Sequence, residues 1–200
     1  MRGILRRPRL DVSADPLTGL PGGPSLEAEV ERRMAGKLPF AFLLAGLEPF
    51  KPYNDFYGFA RGDEVLEATA QLLRESLRSA EAKDAFLGSA GGGGFAAVVE
   101  PESAALVANH AAASFDRKVV SFYNPSELSR GAIETADRQG RLRRFPLLTL
   151  SIGVVTTRGR AFEHYAEVVS LAAEMKAYCR SLAPERLSRF AFDRRRGPGA

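Results

Sequence analysis

The chain has 200 residues, 45% hydrophobic and 26% charged, a composition that supports one packed domain rather than a disordered tract. Lys plus Arg number 28 against 24 for Asp plus Glu, a net charge of +4 held largely near the ends in Arg2, Arg6, Arg7, Arg9 and Arg194 to Arg196, so anionic partners are favoured without nucleic acid being required. A single cysteine, Cys179, excludes an intramolecular disulfide, and with 2 His the chain lacks the ligands of a structural zinc site, which fits a reduced, cytoplasmic setting.

Residues 1–12 read as a basic linker and 194–200 as a disordered tail, which leaves one domain over 13–193. Ser25 is positioned to cap a helix with apolar positions Leu26, Val30 and Met34. The apolar run Phe40 to Ala45 predicts a buried strand. The longer stretch Leu38 to Leu47 is about half the roughly 20 residues a membrane span needs. With no apolar region after the basic start, neither a membrane segment nor an export signal is expected.

A turn-rich segment then leads to a long helix from about Asp63 to Arg78, where Val65, Leu66, Thr69, Leu72, Leu73 and Leu77 keep a helical period. Ala85 to Leu87 and Phe95 to Val99 flank a run of glycines and predict a β-hairpin. Glu102 to Arg117 is an alanine-rich helix. Val119 to Tyr123 and Pro146 to Thr156 read as strands, with a polar stretch between them in which Asp137 to Gly140 suits the turn of a second hairpin. Phe162 to Leu182 closes as a helix stopped by Pro184, and Leu187 to Phe192 reads as a last short strand. The expected fold class is an α+β sandwich, a mostly antiparallel central sheet with helices packed on it.

Five strings in order carry a resemblance. They are Asp15-Pro16-Leu17-Thr18-Gly19-Leu20-Pro21, Phe50-Lys51-x-x-Asn54-Asp55-x-x-Gly58, Gly62-Asp63-x-x-Leu66, Gly91-Gly92-x-x-Phe95 and Leu150-Ser151-Ile152-Gly153-Val154. Together they resemble the GGDEF (diguanylate cyclase) family over Asp15 to Phe192. The resemblance implies a nucleotidyl-cyclase, palm-like (ferredoxin-like) domain. Active members condense two GTP molecules into cyclic di-GMP across a dimer, using two divalent metals for phosphoryl transfer.

Carried over residue by residue, the resemblance divides. The family's metal-binding Asp falls on Gly46, and the signature acids fall on Gly93 and Gly94, so Gly91, Gly92, Gly93, Gly94 and Phe95 form a degenerate signature. Glycine has no side-chain oxygen to hold a metal or take a proton. Glu48 stands two residues beyond the missing ligand, and one carboxylate does not make a cluster. No cofactor, metal or cyclase activity is therefore expected. Asn54 and Asp63 match positions that contact guanine, and an amide with a carboxylate suits that base's donors and acceptors. Lys176 and Arg180 match a phosphate-contacting pair whose i, i+4 spacing puts both cations on one helix face. The family's product-inhibition motif falls near Ala82 and Ala85 and is absent in register, with Glu81 and Asp84 close by. Asn124 to Arg144 departs from the family core as an inserted hairpin of about 124–145, whose Arg130, Arg138, Arg141, Arg143 and Arg144 read as a charged hairpin rather than as a basic partner surface.

Local readings stay open beside these. Asn54 fits a turn and Asp63 a helix cap. Lys176 and Arg180 fit a solvated helix face. The glycines fit an abandoned tight turn better than a new phosphate cradle. Tyr57 and Phe59 read as core or rim aromatics rather than stacking platforms. His110 and His164 stand isolated, and Cys179 reads as a small buried filler. The expected function is a catalytically inactive regulatory module. It would receive a guanine nucleotide, GTP or cyclic di-GMP, through the remnant site. The alternatives are a nucleotide-independent scaffold that binds a protein partner or a second copy of itself, and a residual cyclase.

Overall fold

The computed structural model describes residues 14–136, 141–182 and 187–195. The expected 1–12 linker, the Asp137 to Gly140 turn with Arg138, the stop at Pro184 and the tail beyond Arg195 lie outside the described residues.

The apolar run after Leu38 becomes β1 (Ala41–Glu48). Successive strand residues point to opposite faces, and here both faces are apolar. Ala41, Leu43, Ala45 and Leu47 join one core cluster, while Phe42 and Leu44 join a second on the reverse side. β1 is the middle of a five-stranded sheet in the order β2-β3-β1-β6-β7, made with β2 (Phe86–Gly91), β3 (Gly94–Val99), β6 (Thr149–Thr156) and β7 (Arg189–Phe192). The β2–β3, β3–β1 and β1–β6 pairings are antiparallel and β6–β7 is parallel. This is the expected α+β sandwich.

Two helices cover the face that carries Phe42 and Leu44. They are α1 (Gly23–Ala35), which buries Leu26 and Val30, and α6 (Tyr165–Ser181), which buries Val168, Ala172 and Cys179. Burial of each such aliphatic side chain contributes about 1.5–3 kcal/mol. The other face is covered by α3 (Phe59–Ser79) and α4 (Ala104–Lys118). Of the expected positions in α3, Val65, Thr69, Leu72, Leu73 and Leu77 are buried and Leu66 is partly buried. Burial pushes the Cys179 thiol pKa up, and its Sγ lies 3.5 Å from the Ile152 carbonyl, as befits a packing residue.

Several local expectations are corrected. Ser25 does not cap α1: Gly22 is the N-cap, Pro24 stands in the first turn with its preset φ, and Ser25 is buried inside the helix. The turn-rich segment is a helix, α2 (Phe50–Tyr57), with Pro52 tolerated in its first turn. α3 begins at Phe59 rather than Asp63, because Gly58 at φ +85 redirects the chain between two helices. Val119 to Tyr123 is not a strand but a 3-10 turn over Val119–Phe122 that continues α4. Its i, i+3 spacing places Val119 and Phe122 together in the core, and that burial overrides their β propensity.

The expected insertion opens with α5 (Pro125–Arg130), where Arg130 pairs with Glu127 at 3.2 Å. The hairpin itself is a separate two-stranded sheet, β4 (Ala132–Ala136) and β5 (Leu142–Pro146). Three tyrosines hold the segments that flank it. Tyr53 is fully buried and donates to the Phe122 carbonyl, Tyr57 donates to Glu127, and the Leu148 amide donates to the Tyr123 hydroxyl at 2.8 Å. Burial pushes the Tyr57 phenol up to about 12.

The string starting at Asp15 forms a loop that closes over β2. Asp15 accepts from the Thr18 amide and hydroxyl and from the Ser89 hydroxyl. Gly19 turns at φ +65, Arg74 donates to the Thr18 carbonyl, and the Ser89 amide donates to the Pro21 carbonyl at 2.8 Å. Among the described residues, no helix is long and apolar enough to cross a membrane.

Candidate functional site

The end of β1, the tip of the β2–β3 hairpin, the α2–α3 corner and one side of α6 enclose an open cleft of about 600 Å³. That volume suits a small-molecule ligand. Gly46 and Glu48 come from β1, Asn54 from α2, Phe59 from the start of α3, Gly91 to Gly94 from the hairpin and Lys176 from α6.

Each position has a local cause. Gly91, Gly92 and Gly93 all take positive φ, at +80, +59 and +79, so the hairpin turns on backbone that only glycine adopts readily. Gly46 and Gly94 are direct partners across β1 and β3 and lie on the face that α6 covers. The approach of α6 is set by Gly153 in β6. A Cβ there would lie 1.9 Å from the Ala172 carbonyl oxygen and 2.6 Å from the Lys176 amide nitrogen. The helix therefore rests directly on strand backbone, and Lys176 reaches the middle of the sheet. Its Nζ lies 3.0 Å from where a Cβ on Gly46 would be.

Asn54 has its side-chain amide oxygen buried with no hydrogen-bond partner among the described residues. That oxygen sits against Gly62, where an added Cβ would meet it at 1.9 Å. The glycine before Asp63 is thus the seat of Asn54. Phe59 is 75% exposed at the rim, and Tyr57 is half-buried, so neither ring belongs wholly to the core.

Of the four expected nucleotide contacts, Asn54 and Lys176 line the cleft together. Arg180 lies one turn further along α6 and donates to Glu48 at 3.4 Å. Asp63 is exposed in the second turn of α3, on the side of Phe59, and does not line the cleft. It caps no helix, and Asn54 lies within α2 rather than in a turn, so the local readings of both fail. Sequence reasoning passed over the part played by Gly153. A glycine within a strand signals close approach of backbone and was the available clue. It also passed over the Lys51–Asp55 pair at 2.8 Å, whose i, i+4 spacing was legible.

A divalent metal does not fit these residues. Gly46 and Gly94 offer no side-chain oxygen, Glu48 is paired with Arg180, and an ammonium stands at Gly46. Among the described residues, no group of three or more His, Cys, Asp or Glu side chains is placed to hold a metal ion.

Comparisons with known proteins identify the family and the fold. Residues 12–179 match the family described as diguanylate cyclase, GGDEF domain. A segment of 73 residues is 40% identical to the diguanylate cyclase DgcP of Pseudomonas aeruginosa, covering 34% of this chain and 11% of that protein. Among solved structures, the diguanylate cyclase SiaD of P. aeruginosa, in complex with its activator SiaC, superposes with a TM-score of 0.65 at 22% identity, over 90% of this chain and 61% of that one. The isolated GGDEF domain of YfiN from P. aeruginosa gives 0.65 at 20% identity, over 90% and 94%. The coiled coil and GGDEF domain of DgcB from Caulobacter crescentus, in complex with c-di-GMP, gives 0.59 at 20%, over 90% and 85%. At these identities the structures attest the fold.

Proposed function

The chain belongs to the GGDEF domain family, and from that premise we propose that it is a catalytically inactive regulatory domain whose remnant cleft receives a guanine nucleotide. One observation carries the reading. Glycine stands at 46, 93 and 94, where the family resemblance calls for acids, while Asn54 and Lys176 still line the cleft. A site stripped of metal ligands but still lined by base-recognising and cationic groups is a binding site without a catalyst. Restoring the acids would be structurally costly as well. Gly93 sits at φ +79 with Phe50 within 3.3 Å of an added Cβ, so an acid there is strained.

Titration calorimetry with GTP, GMP and cyclic di-GMP, with a parallel assay for cyclic di-GMP made from GTP and magnesium, tests this. Heat with at least one ligand and no product is expected. Asn54→Ala is expected to weaken binding about tenfold, the worth of a lost hydrogen bond with its buried partner. Product formation overturns the inactive reading. Absence of heat with every ligand overturns the receptor reading and leaves a scaffold that pairs with a protein or with itself, a role in keeping with the activator-bound SiaD among its structural neighbours.

A further inference from the structure

The α2–α3 corner and the inserted hairpin carry opposite charges and lie side by side. On α3, Glu64, Glu67 and Glu75 follow one exposed stripe, with Asp63 beside its head. Asp63 and Glu67 make no hydrogen bond or ion pair with a described residue, and Glu64 reaches Arg61 only at 3.9 Å. The insertion is basic. Among the described residues of α5, β4 and β5 and the turn before Leu142, Arg130, Arg141, Arg143 and Arg144 stand against Glu127 and Glu134. Arg144 donates to the Arg130 carbonyl at 2.7 Å, a neutral acceptor that leaves its charge in place. A run of contacts joins the two regions. Arg61 donates to the Phe122 carbonyl at 3.1 Å and lies over the Tyr57 ring, Tyr57 donates to Glu127 at 3.1 Å, and Glu127 holds Arg130 at 3.2 Å. The head of the acidic stripe therefore adjoins the base of the hairpin.

Each region also presents apolar surface. Phe59 is 75% exposed and Phe56 38% at the corner. Leu142 is 71% exposed in β5, two residues from Arg144 and so on the same strand face. Apolar side chains bordered by charge match the core and rim of a protein interface.

We infer that this surface pairs with a second copy of the chain about a two-fold axis. The Phe56–Phe59 corner and acidic stripe of one copy meet the Leu142–Arg144 strand of the other, and the reverse. A two-fold contact requires a self-complementary surface, and adjoining patches of opposite sign supply one, because the axis brings acid to base twice. Both halves of the complementary pair stand on this one chain, which is what selects a second copy as the occupant. The inference goes beyond the nucleotide reading and stands whether or not the cleft holds a ligand.

Sedimentation velocity on the full chain, over a wide range of concentration and in low and high salt, tests it. A dimer is expected whose Kd weakens with salt, since screening shortens the reach of exposed charges from about 8 Å at physiological ionic strength to about 3 Å at 1 M. Phe59→Ser should weaken the dimer about tenfold or more while leaving the thermal melt of the monomer little changed. Glu64→Lys with Glu67→Lys in one chain, and Arg143→Glu with Arg144→Glu in another, should each give monomers. An equal mixture of those two chains should form a heterodimer, because both contacts about the axis then regain opposite charges. Far-UV circular dichroism checks that the variants are folded.

A wild-type chain that stays monomeric at every concentration overturns the inference, and so does one that grows past a dimer, the mark of a head-to-tail contact. A dimer unchanged by Phe59→Ser overturns it as well, as do folded charge variants that fail to associate on mixing. Should a charge variant not fold, Phe59→Ser and the salt dependence decide the matter.

Discussion

At Gly153 a single added methyl group would collide with helix backbone rather than with a movable side chain. Gly153→Ala should therefore cost at least about 2 kcal/mol, at the upper end for overpacking, because α6 must lift off the sheet. A lowered urea midpoint with an unchanged slope would register it, and wild-type stability would refute the contact. Asp15 supplies a pH signature. Its pKa is lowered from the ordinary 3.8, first by the Thr18 amide hydrogen bond and then, against some burial, by the Thr18 and Ser89 hydroxyls. The stability it contributes is complete above the unfolded value and is lost as pH falls through the lower folded one. Thermal melts of wild type and Asp15→Ala should differ clearly near neutrality, and the difference should shrink as pH falls through the lowered folded value. At this scale the sequence was informative about identity and mute about direction. Lys176 was legible as a basic residue on a helix face, but its course over Gly46 depends on how closely α6 approaches, which only the packed sheet decides.

Elements were read well where periodicity was long and poorly where one residue redirected the chain. The 21 residues of α3 announced themselves by their buried stripe, yet its start was misplaced because Asp63 has the chemistry of a cap while Gly58 has the geometry of one. α2 was hidden by Pro52, which marks turns in general but is harmless in a first turn. The segments that flank the β4–β5 hairpin are joined to the body through tyrosines that no local pattern announces. Tyr123→Phe removes the acceptor of the buried Leu148 amide and should cost about 1–3 kcal/mol, read as a shifted urea midpoint. A neutral result would mean that the amide finds another partner.

For the molecule as a whole, the architecture was legible because strand and helix signals alternated in an order that permits few topologies. The site was legible in part, since motif spacing located its walls but not the pairing of Arg180 with Glu48. Because β1 contributes alternate residues to both core clusters, neither helical layer can leave without exposing it. With 5 Tyr and no Trp, tyrosine fluorescence and far-UV circular dichroism should report coincident urea transitions. Separate midpoints would show the two layers melting independently. The loop from Asp15 to Pro21 also fixes where the domain can be cut. β2 is an outer strand of the sheet, and the Ser89 amide is occupied by the Pro21 carbonyl. A fragment begun at α1 would bare that edge to strand addition by another copy, so the usable N-terminal boundary lies before the loop, and aggregation is the penalty for trimming past it.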